Sequence, residues 1–501
     1  MTNSNPILRP SKQFWLFALG VVLAGCFAWG NIASWSAKLR YPGEENLAEG
    51  VPLTEMLHFR AGVRIYDPPS RQKFDTPSYG PLYYLLGARL IDPERPAYLP
   101  LRLLSLAGTL GCVAASALLA LWLSGSKRAA LVAALIFLSY RFVTLYGISD
   151  RCDLVALLFC FSGFLIAYRF QDGPKLLWAA LPILLGLFYK QQFVAAPLAV
   201  LLFLLLGKQY RRMVQFGALL GAGGLVLLGF FEFVVFRGQA FLRHFLLYVG
   251  ALPFSLHRLG LGAFIFVVWF AFPMVVAIEF LRRHSNRLVA CYVGVALFLS
   301  IVMFAKEGSD ANYFIESALI LSTLFAAFLI ERVPDFTRGP EVLFLLILTL
   351  LPSHLFAESP PEPQDFIRDQ AIQTFLRRRF PPHTLAFGYY TGDLVRAGLD
   401  APVSALWVYN GLVRRGVIAS PDVVSMLESR SFAVVVLNFD LEREQNPSWL
   451  NYYLTELQRN ALLANYEPVT NLEMPEPEKF RATDRFYIWV PKSTSHNKSE
   501  F

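Results

Sequence analysis

Long runs of apolar residues separated by short polar stretches dominate the first 356 positions of the chain. A helix needs about 20 mostly apolar residues to cross a bilayer, and about eleven windows approach that length. The pattern predicts an α-helical polytopic membrane protein with about eleven transmembrane helices. The windows cover roughly 13–35, 101–124, 129–146, 153–169, 176–189, 193–207, 213–236, 259–281, 288–305, 313–330 and 341–356.

Two of these windows, 176–189 and 193–207, are short. A single helix over both would be about 48 Å long at 1.5 Å per residue, which exceeds a hydrocarbon core of about 30 Å. We therefore predict two short helices joined at the sequence Tyr189-Lys190-Gln191-Gln192, with this turn below the membrane surface.

The remaining segments predict pieces outside the helical bundle 1–356. Residues 36–100 form a loop far longer than a simple connector, in which 78–91 is amphipathic and predicts an interfacial helix. A second interfacial piece is predicted at 241–256. The Pro-rich run within 357–364 predicts a linker, and 493–501 a disordered tail.

Residues 365–492 change to a globular pattern, in which strand-like runs alternate with helix-like stretches. This alternation predicts a small C-terminal α/β domain on the extracytoplasmic side. The strands are expected at 384–387, 432–439 and 486–490, and the helices at 365–379, 420–429 and 448–464.

Composition supports the membrane assignment, because 55% of residues are hydrophobic, only 16% are charged, and mean hydropathy is +0.45. The first apolar run is too long for a signal-peptide core and predicts a retained anchor. The five cysteines show no spacing for a disulfide framework or a metal site, and we assign no metal and no cofactor.

The formal charge of +8 is accounted for by basic loops on the cytoplasmic side of a membrane protein, rather than by nucleic acid. A cytoplasmic N-terminus makes six inside loops basic, as the positive-inside rule requires. Lys38 and Arg40 run against the rule. The basic residues that agree with it are Arg9, Lys12, Lys127, Arg128, Arg169, Lys175, Lys208, Arg211, Arg212, Arg282, Arg283, Arg287, Arg332 and Arg338.

This orientation places four polar clusters on the outer side of the bundle. Ionisable residues at membrane depth are costly and usually functional, so their convergence predicts a site. The clusters are Glu44-Glu45, the stretch from Tyr146 to Asp153, Lys190-Gln191-Gln192, and the stretch from Lys306 to Glu316.

The pair Glu44-Glu45 has two readings, a solvated acidic turn or a general base with its neighbour. A base would take a proton from an acceptor hydroxyl or amine while the acceptor attacks an activated carbon, such as the anomeric carbon of a phosphate-linked sugar. No nucleotide-binding glycine loop is present in the sequence. A lipid carrier is therefore the natural source of the sugar.

The other polar residues also have two readings each. Lys190 suits a lipid phosphate or interfacial snorkelling, and Arg151 with Asp153 suits phosphate binding or a simple ion pair. Asn312 and Glu316 share one helix face, and we expect Lys306 or Arg151 to pair with Glu316.

The order of these motifs resembles the GT-C glycosyltransferases, integral-membrane enzymes that use polyprenyl-phosphate sugars. The group includes the protein mannosyltransferases, the lipid A aminoarabinose transferases and the Rgt-like bacterial transferases. The resemblance covers roughly residues 10–356. It rests on Tyr41-Pro-Gly-Glu44-Glu45, Gly62-Val-Arg-Ile-Tyr66, Tyr79-Gly-Pro-Leu-Tyr83-Tyr84, Asp150-Arg151-Cys-Asp153-Leu, Tyr189-Lys190-Gln191 and Lys306-Glu-Gly-Ser-Asp-Ala-Asn312-Tyr313.

The resemblance implies an acid in the first loop as catalytic base and an inverting displacement at the sugar. The family's commoner motif contains Asp, and this chain has Glu44 and Glu45, of which we favour Glu44. The resemblance further implies phosphate contacts by Arg151, Lys190 and Lys306. Asn312, Tyr313 and Glu316 are candidates for the lining of the substrate pocket, and Tyr79 and Tyr83 belong to the interfacial loop. Asp153 and Gln191 are further candidates for substrate or lipid-phosphate binding.

The sequence thus predicts a bacterial inner-membrane glycosyltransferase that moves a sugar from a polyprenyl-phosphate carrier to an extracytoplasmic glycan, lipid or protein acceptor. One alternative is a ligase or polymerase of lipid-linked glycans. Another is a transporter or flippase, which usually shows internal repeats and charges near the midplane. A membrane scaffold explains the polar clusters least well.

Overall fold

The computed structural model describes residues 12–45, 47–68, 74–251, 253–332, 344, 346–347, 349–351, 360–418, 421–437, 439, 441, 453–469 and 487–492. The tail 493–501 and residues 357–359 of the predicted linker lie outside the described residues. The predicted span 341–356 lies largely outside them.

Fourteen helices make up the described part of the bundle and its loops, because apolar runs dominate this part of the chain. They are α1 (Lys12–Arg40), α2 (Leu47–Arg60), α3 (Pro81–Leu90), α4 (Leu99–Ser124), α5 (Lys127–Ser139), α6 (Arg141–Gly147), α7 (Asp153–Arg169), α8 (Ala180–Tyr189), α9 (Ala195–Leu206), α10 (Tyr210–Phe230), α11 (Val249–Ala251), α12 (Leu256–His284), α13 (Arg287–Phe304) and α14 (Ile315–Arg332).

Six of the described helices are long and apolar enough to cross a membrane, or seven if the bent pair α5–α6 counts as one span. The count of eleven is therefore not confirmed. The two short helices predicted at 176–189 and 193–207 are present as α8 and α9, and Lys190 follows directly after α8.

The predicted span 129–146 is bent in the structure. The backbone of Tyr140 is extended, which ends α5, and α6 leaves at an angle of 76°. The bend places Arg141 at the start of α6, where its Nη1 donates to the side chain of Asn31, 3.3 Å away.

Helix α14 lies at the centre of the bundle, since 83% of its apolar window is buried, whereas α10 is at the periphery with 6%. Paired hydroxyl groups connect α14 to its neighbours. Ser116 on α4 bonds Thr323 at 2.9 Å, and Ser300 on α13 bonds Ser317 at 2.8 Å. These pairs satisfy polar groups that the apolar interior leaves without water.

The long first loop contains one helix that the sequence analysis did not predict, α2, and one that it did, α3. Helix α3 lies within the predicted interfacial segment 78–91, and Pro81 at its first position suits a helix start. Its Tyr83 and Tyr84 are buried against the bundle, so one face of α3 belongs to the core.

The predicted C-terminal α/β unit is confirmed. Its sheet has the strand order β1-β2-β4-β3, with β1 and β2 parallel and the other two pairs antiparallel. The strands are β1 (Ala386–Gly388), β2 (Val434–Leu437), β3 (Tyr466–Pro468) and β4 (Tyr487–Pro491). The helices are α15 (Pro363–Arg379), α16 (Thr391–Arg396), α17 (Leu406–Arg414), α18 (Pro421–Glu428) and α19 (Glu456–Asn465).

The core of this unit includes a residue from the first loop. Phe74 is buried among the apolar residues of the C-terminal unit, with its ring edge-on to Tyr409 at 5.1 Å. Its backbone N–H donates to the carbonyl of Pro402. The C-terminal unit is thus packed onto the segment that connects α2 and α3.

Candidate active site

A buried arginine holds the turn between α1 and α2 in place. Arg102, on α4, donates to the backbone carbonyls of Lys38 at 2.9 Å, Tyr41 and Gly43 at 2.8 Å. It also donates two hydrogen bonds to Glu49, at 2.9 and 2.7 Å. Because Arg102 is fully buried, the turn that carries Glu44 and Glu45 is attached to the bundle itself.

Glu49 is the acid of this segment with the most complete set of partners. Besides the two bonds from Arg102, it accepts from the backbone N–H of Glu45 at 2.9 Å and of Asp150 at 2.7 Å. Burial alone would raise the pKa of Glu49, but the Arg102 guanidinium and these hydrogen bonds hold it below its usual range. Glu49 is therefore an ionised structural anchor.

Glu45 forms an ion pair with Lys38, the residue that runs against the positive-inside rule. Only 1% of the Lys38 side chain and 2% of the Glu45 side chain are exposed. Burial raises the pKa of Glu45, and Lys38 partly offsets this effect. The basic residue at this end of α1 is thus paired with a carboxylate.

Glu44 differs from the other two acids in having no ion-pair partner among the described residues. Its Oε1 accepts from the backbone N–H of Gly50 at 2.9 Å, while Oε2 is buried with no hydrogen-bond partner among the described residues. Burial, and then the charge of Asp393, raise the pKa of Glu44 well above its usual value. Such a carboxyl group has a free oxygen and can exchange a proton.

A second group of charges centres on Asp153, at the start of α7. Asp153 accepts from Lys190 at 2.5 Å, from Asn312 at 2.7 Å and from Arg151 at 3.0 Å. The carboxylate and both cations are at most 9% exposed. Two cations share one anion here, so the group keeps a net charge of +1 in a largely buried place.

Aromatic rings surround these two cations. The Lys190 ammonium lies 5.4 Å from the ring centre of Tyr79 and 5.9 Å from that of Tyr313. The Arg151 guanidinium lies 4.8 Å from the ring of Tyr146. Ring faces attract cations, so these contacts favour a fixed position for both charges.

One hydrogen-bonded connection joins the second group to the first loop. Tyr83 donates to Asp150 at 2.6 Å, and the backbone N–H of Asp150 donates to Glu49. Asp150 directly precedes Arg151. The three acids of the first segment and the Asp153 group therefore belong to one connected polar network.

The structure brings together most of the residues that the sequence analysis singled out. Around Asp153 they are Tyr79, Tyr83, Arg151, Lys190, Asn312 and Tyr313. Glu45 is bonded to Glu49, and Glu44 to the neighbouring Gly50.

Three predicted site residues lie elsewhere. Glu316 accepts from Tyr292 at 2.7 Å, so the expected pairing with Lys306 or Arg151 is wrong. Gln191 donates to the carbonyl of Phe245, and the backbone of Lys306 bridges to Phe254.

A cavity of about 250 Å³ lies beside the network. Its lining is mostly apolar, with polar groups from Lys38, Arg141, Tyr146 and Asp310. Glu44, Lys190 and Lys306 are not among the residues that line this cavity. The aromatic and aliphatic lining residues are Phe142, Leu145, Ile265, Trp269, Phe304, Ala311 and Phe314.

Three residues of this region were missed by the sequence analysis: Arg102, Arg141 and Glu49. Each had a signal. Arg102 and Arg141 interrupt or border apolar runs, where an ionisable residue is costly. Glu49 lies at a helical spacing of four from Glu45. Among the described residues, no group of three His, Cys, Asp or Glu side chains is placed to hold a metal ion.

Comparisons with known proteins find similarity in structure alone. No family model matches the chain, and no curated protein sequence matches it. The crystal structure of ArnT from Cupriavidus metallidurans bound to undecaprenyl phosphate superposes with a TM-score of 0.59 and 11% identity, over 97% of this chain and 99% of that one.

Two further crystal structures are similar. The apo state of the same ArnT has a TM-score of 0.52 and 12% identity, over 94% of this chain and 98% of that one. The Archaeoglobus fulgidus oligosaccharyltransferase, in a complex with Zn and sulfate, has a TM-score of 0.50 and 14% identity, over 89% and 71%. The chain therefore has the fold of the GT-C-like membrane glycosyltransferases.

Proposed function

We propose that this protein is an integral-membrane glycosyltransferase that transfers a sugar from a polyprenyl-phosphate carrier to an extracytoplasmic acceptor. The observation that carries the proposal is the Asp153 group, in which Arg151 and Lys190 share one carboxylate. A buried net charge of +1 favours an anion. A phosphate monoester or diester is such an anion, and Lys and Arg are its usual partners.

The fold supports the same substrate class. ArnT, whose structure superposes over nearly the whole chain, was crystallised with undecaprenyl phosphate. The mostly apolar cavity beside the network, with Lys38 and Arg141 at its polar side, suits the region where an isoprenoid chain meets its phosphate. The protein would work in a bacterial inner membrane with its N-terminus cytoplasmic and its C-terminal domain extracytoplasmic.

The proposed catalytic base is Glu44. Glu49 has four hydrogen bonds. Glu44 and Glu45 each keep one oxygen without a hydrogen-bond partner among the described residues, but the carboxylate of Glu45 is held in an ion pair with Lys38. A general base must have a free lone pair within reach of the acceptor's proton. Of the three acids, Glu44 meets this requirement best.

The reaction would be a direct displacement. Glu44 accepts the proton of an acceptor hydroxyl or amine, and the acceptor oxygen or nitrogen forms a bond to the anomeric carbon. The bond between that carbon and the phosphate oxygen breaks, and polyprenyl phosphate leaves with the electron pair. Arg151 and Lys190 would stabilise the charge that develops on the phosphate. Attack opposite the leaving group inverts the anomeric configuration.

The first test is binding of undecaprenyl phosphate to the purified protein, measured by native mass spectrometry. We expect binding by the wild type and at least a tenfold loss in Lys190→Gln. Lys127→Gln, which changes an exposed lysine at the start of α5, is the matched control and is expected to bind normally. Equal binding by the two variants would contradict the phosphate site.

A second candidate is a ligase that transfers a lipid-linked oligosaccharide, because an oligosaccharyltransferase is also similar in fold. Parallel reactions with a monosaccharide-linked and an oligosaccharide-linked polyprenyl carrier separate the two candidates. We expect transfer from the monosaccharide carrier. Uptake into liposomes with no covalent product would instead support a transporter.

A further inference from the structure

The C-terminal unit contacts the first loop at the backbone level, next to Glu44. Gly50 on α2 faces Gly392 on α16. A Cβ atom added to Gly392 would lie 2.7 Å from the Cα of Gly50, and one added to Gly50 would lie 2.6 Å from the backbone N of Gly392. The side chain of Glu44 also adjoins the added Cβ of Gly50. Two glycines thus allow α16 to approach the free oxygen of Glu44.

Helix α16 carries an ion pair at this contact. Arg396 donates to Asp393 at 2.9 Å and to both oxygens of Asp369, on α15, at 2.8 and 3.1 Å. All three residues are at most 8% exposed. The two carboxylates and the double hydrogen bond to Asp369 fix the guanidinium in one orientation.

Tyr98, which directly precedes α4, lies between this pair and the bundle. The guanidinium carbon of Arg396 lies 5.8 Å from its ring centre, and that of Arg102 lies 5.0 Å from the same ring. The hydroxyl of Tyr98 adjoins Gly392 and, like Glu44 Oε2, is buried without a hydrogen-bond partner among the described residues. A donor and an acceptor are therefore both unsatisfied at the same contact.

We propose that Asp393 and Arg396 of the C-terminal unit are positioning residues for Glu44, so that the unit completes the active site. The inference rests on the proposed role of Glu44 as the base. It goes beyond that role because it assigns a catalytic function to the docking of the C-terminal unit, through residues far from the first loop in sequence.

Asp393 and Arg396 have opposite electrostatic effects on the protonation of Glu44. Asp393 favours the protonated form of Glu44, and Arg396 favours the ionised form. The other titratable groups that face Glu44 are Glu49 on α2, Tyr98 before α4, and Tyr389, which follows β1. Removing Asp393 or Arg396 should therefore move the titration of Glu44 in opposite directions.

The experiment is an infrared pH titration of the purified full-length protein without ligand, in which Glu44 is identified by the band that Glu44→Gln removes. Asp393→Asn should lower the midpoint of Glu44, and Arg396→Gln should raise it, each by about one pH unit. Arg378→Gln is the control, because it removes an exposed charge from the end of α15 in the same unit. It should leave the midpoint unchanged.

The proposal is overturned if both Asp393→Asn and Arg396→Gln titrate like Arg378→Gln. If Arg396→Gln fails to fold, Arg396→Lys replaces it, and because this variant retains the charge it should keep the wild-type midpoint. The proposal is then tested by whether Asp393→Asn lowers the midpoint of Glu44. The titration needs no substrate. If the wild type does not bind undecaprenyl phosphate, the proposed function is contradicted. Unshifted midpoints of Glu44 contradict only this inference.

Discussion

At the scale of residues, three glutamates within six positions of each other differ because their neighbours differ. Glu49 is compensated by Arg102, Glu45 by Lys38, and Glu44 by one backbone N–H. A buried carboxylate without a cation favours its protonated form. Glu44 and Glu45 both have a raised pKa and an Oε2 with no hydrogen-bond partner among the described residues. Glu45 is paired with the cation Lys38, which is why we assign the proton transfer to Glu44.

Substitution separates Glu44 from its neighbour. Glu44→Gln should lower transfer about 100- to 10,000-fold, the usual contribution of a general base, with little loss of stability. Glu45→Gln should instead destabilise the fold by about 3 kcal/mol, because it leaves Lys38 buried without its partner. Transfer rates and thermal unfolding, measured on both variants, check this. Full activity of Glu44→Gln would exclude it as the base.

The pH dependence of transfer follows from the raised pKa of Glu44. A base acts only when it is ionised, so the rate should rise with pH through a midpoint well above 4.5, the usual value for Glu. The pH profile of kcat/KM gives this midpoint. A rate that is constant from pH 5 to pH 8 would contradict the assignment.

Sequence patterns located most residues of the site but not their partners. The polar clusters around Asp153 could be predicted because charges in apolar surroundings are rare. The pairing of Glu316 with Tyr292 could not, because it depends on which faces of α13 and α14 meet. Arg102 holds the first loop by donating to backbone carbonyl groups. Every residue has such a carbonyl, so the sequence does not show which ones Arg102 binds.

At the scale of elements, the approach of α3 to the end of α8 places aromatic rings against Lys190. The N–H of Gly80 donates to the carbonyl of Tyr189 at 3.1 Å, and an added Cβ would lie 2.8 Å from the carbonyl carbon of Tyr189. Only a glycine allows this contact. It brings Tyr79 beside the Lys190 ammonium.

Gly80→Ala should therefore move α3 away from Lys190 and weaken undecaprenyl phosphate binding about tenfold. The control is Gly221→Ala on α10, where an added Cβ meets no atom within 4 Å. Binding measured by native mass spectrometry on both variants checks the prediction, which fails if the two variants bind alike.

A second contact between elements depends on pH. Glu55 on α2 accepts from Tyr84 on α3 at 2.7 Å and from Ser404 of the C-terminal unit at 2.9 Å. Burial, and then the charge of Asp75, raise the pKa of Glu55 to about 8. The folded state thus holds a proton that the unfolded chain releases near pH 4.5.

The stability that Glu55 contributes is fully present below pH 4.5, and it decreases as the pH rises until it is lost at about 8. The wild type should therefore lose a few kcal/mol of unfolding free energy over this range relative to Glu55→Gln, which has no such proton. Unfolding curves of both proteins at several pH values measure the difference. A constant difference would contradict a protonated Glu55.

The elements themselves were predictable to different degrees. Apolar runs and the alternation in the C-terminal unit identified most helices and strands. The bend at Tyr140 was not predictable, because no Pro or Gly marks it. Helix α2 was missed because Pro52 lies inside it.

At the scale of the whole molecule, the C-terminal unit and the first loop share one core. Phe74→Ala should remove a large buried ring from that core and destabilise the C-terminal unit by about 3–5 kcal/mol. Phe254→Ala, which removes an exposed ring, serves as the control and should cost little. Limited proteolysis should cut the C-terminal unit of the Phe74 variant faster than that of the control, and equal rates would contradict the shared core.

The position of Phe74 in the C-terminal unit has a consequence for biosynthesis. The two residues of the ring contact, Phe74 and Tyr409, are separated by almost the whole bundle in sequence. Phe74 is synthesised well before the C-terminal residues that it contacts. The C-terminal unit therefore cannot reach its final packing as an independent folding step. Its final packing requires the first loop to be in place, because Phe74 is part of its core.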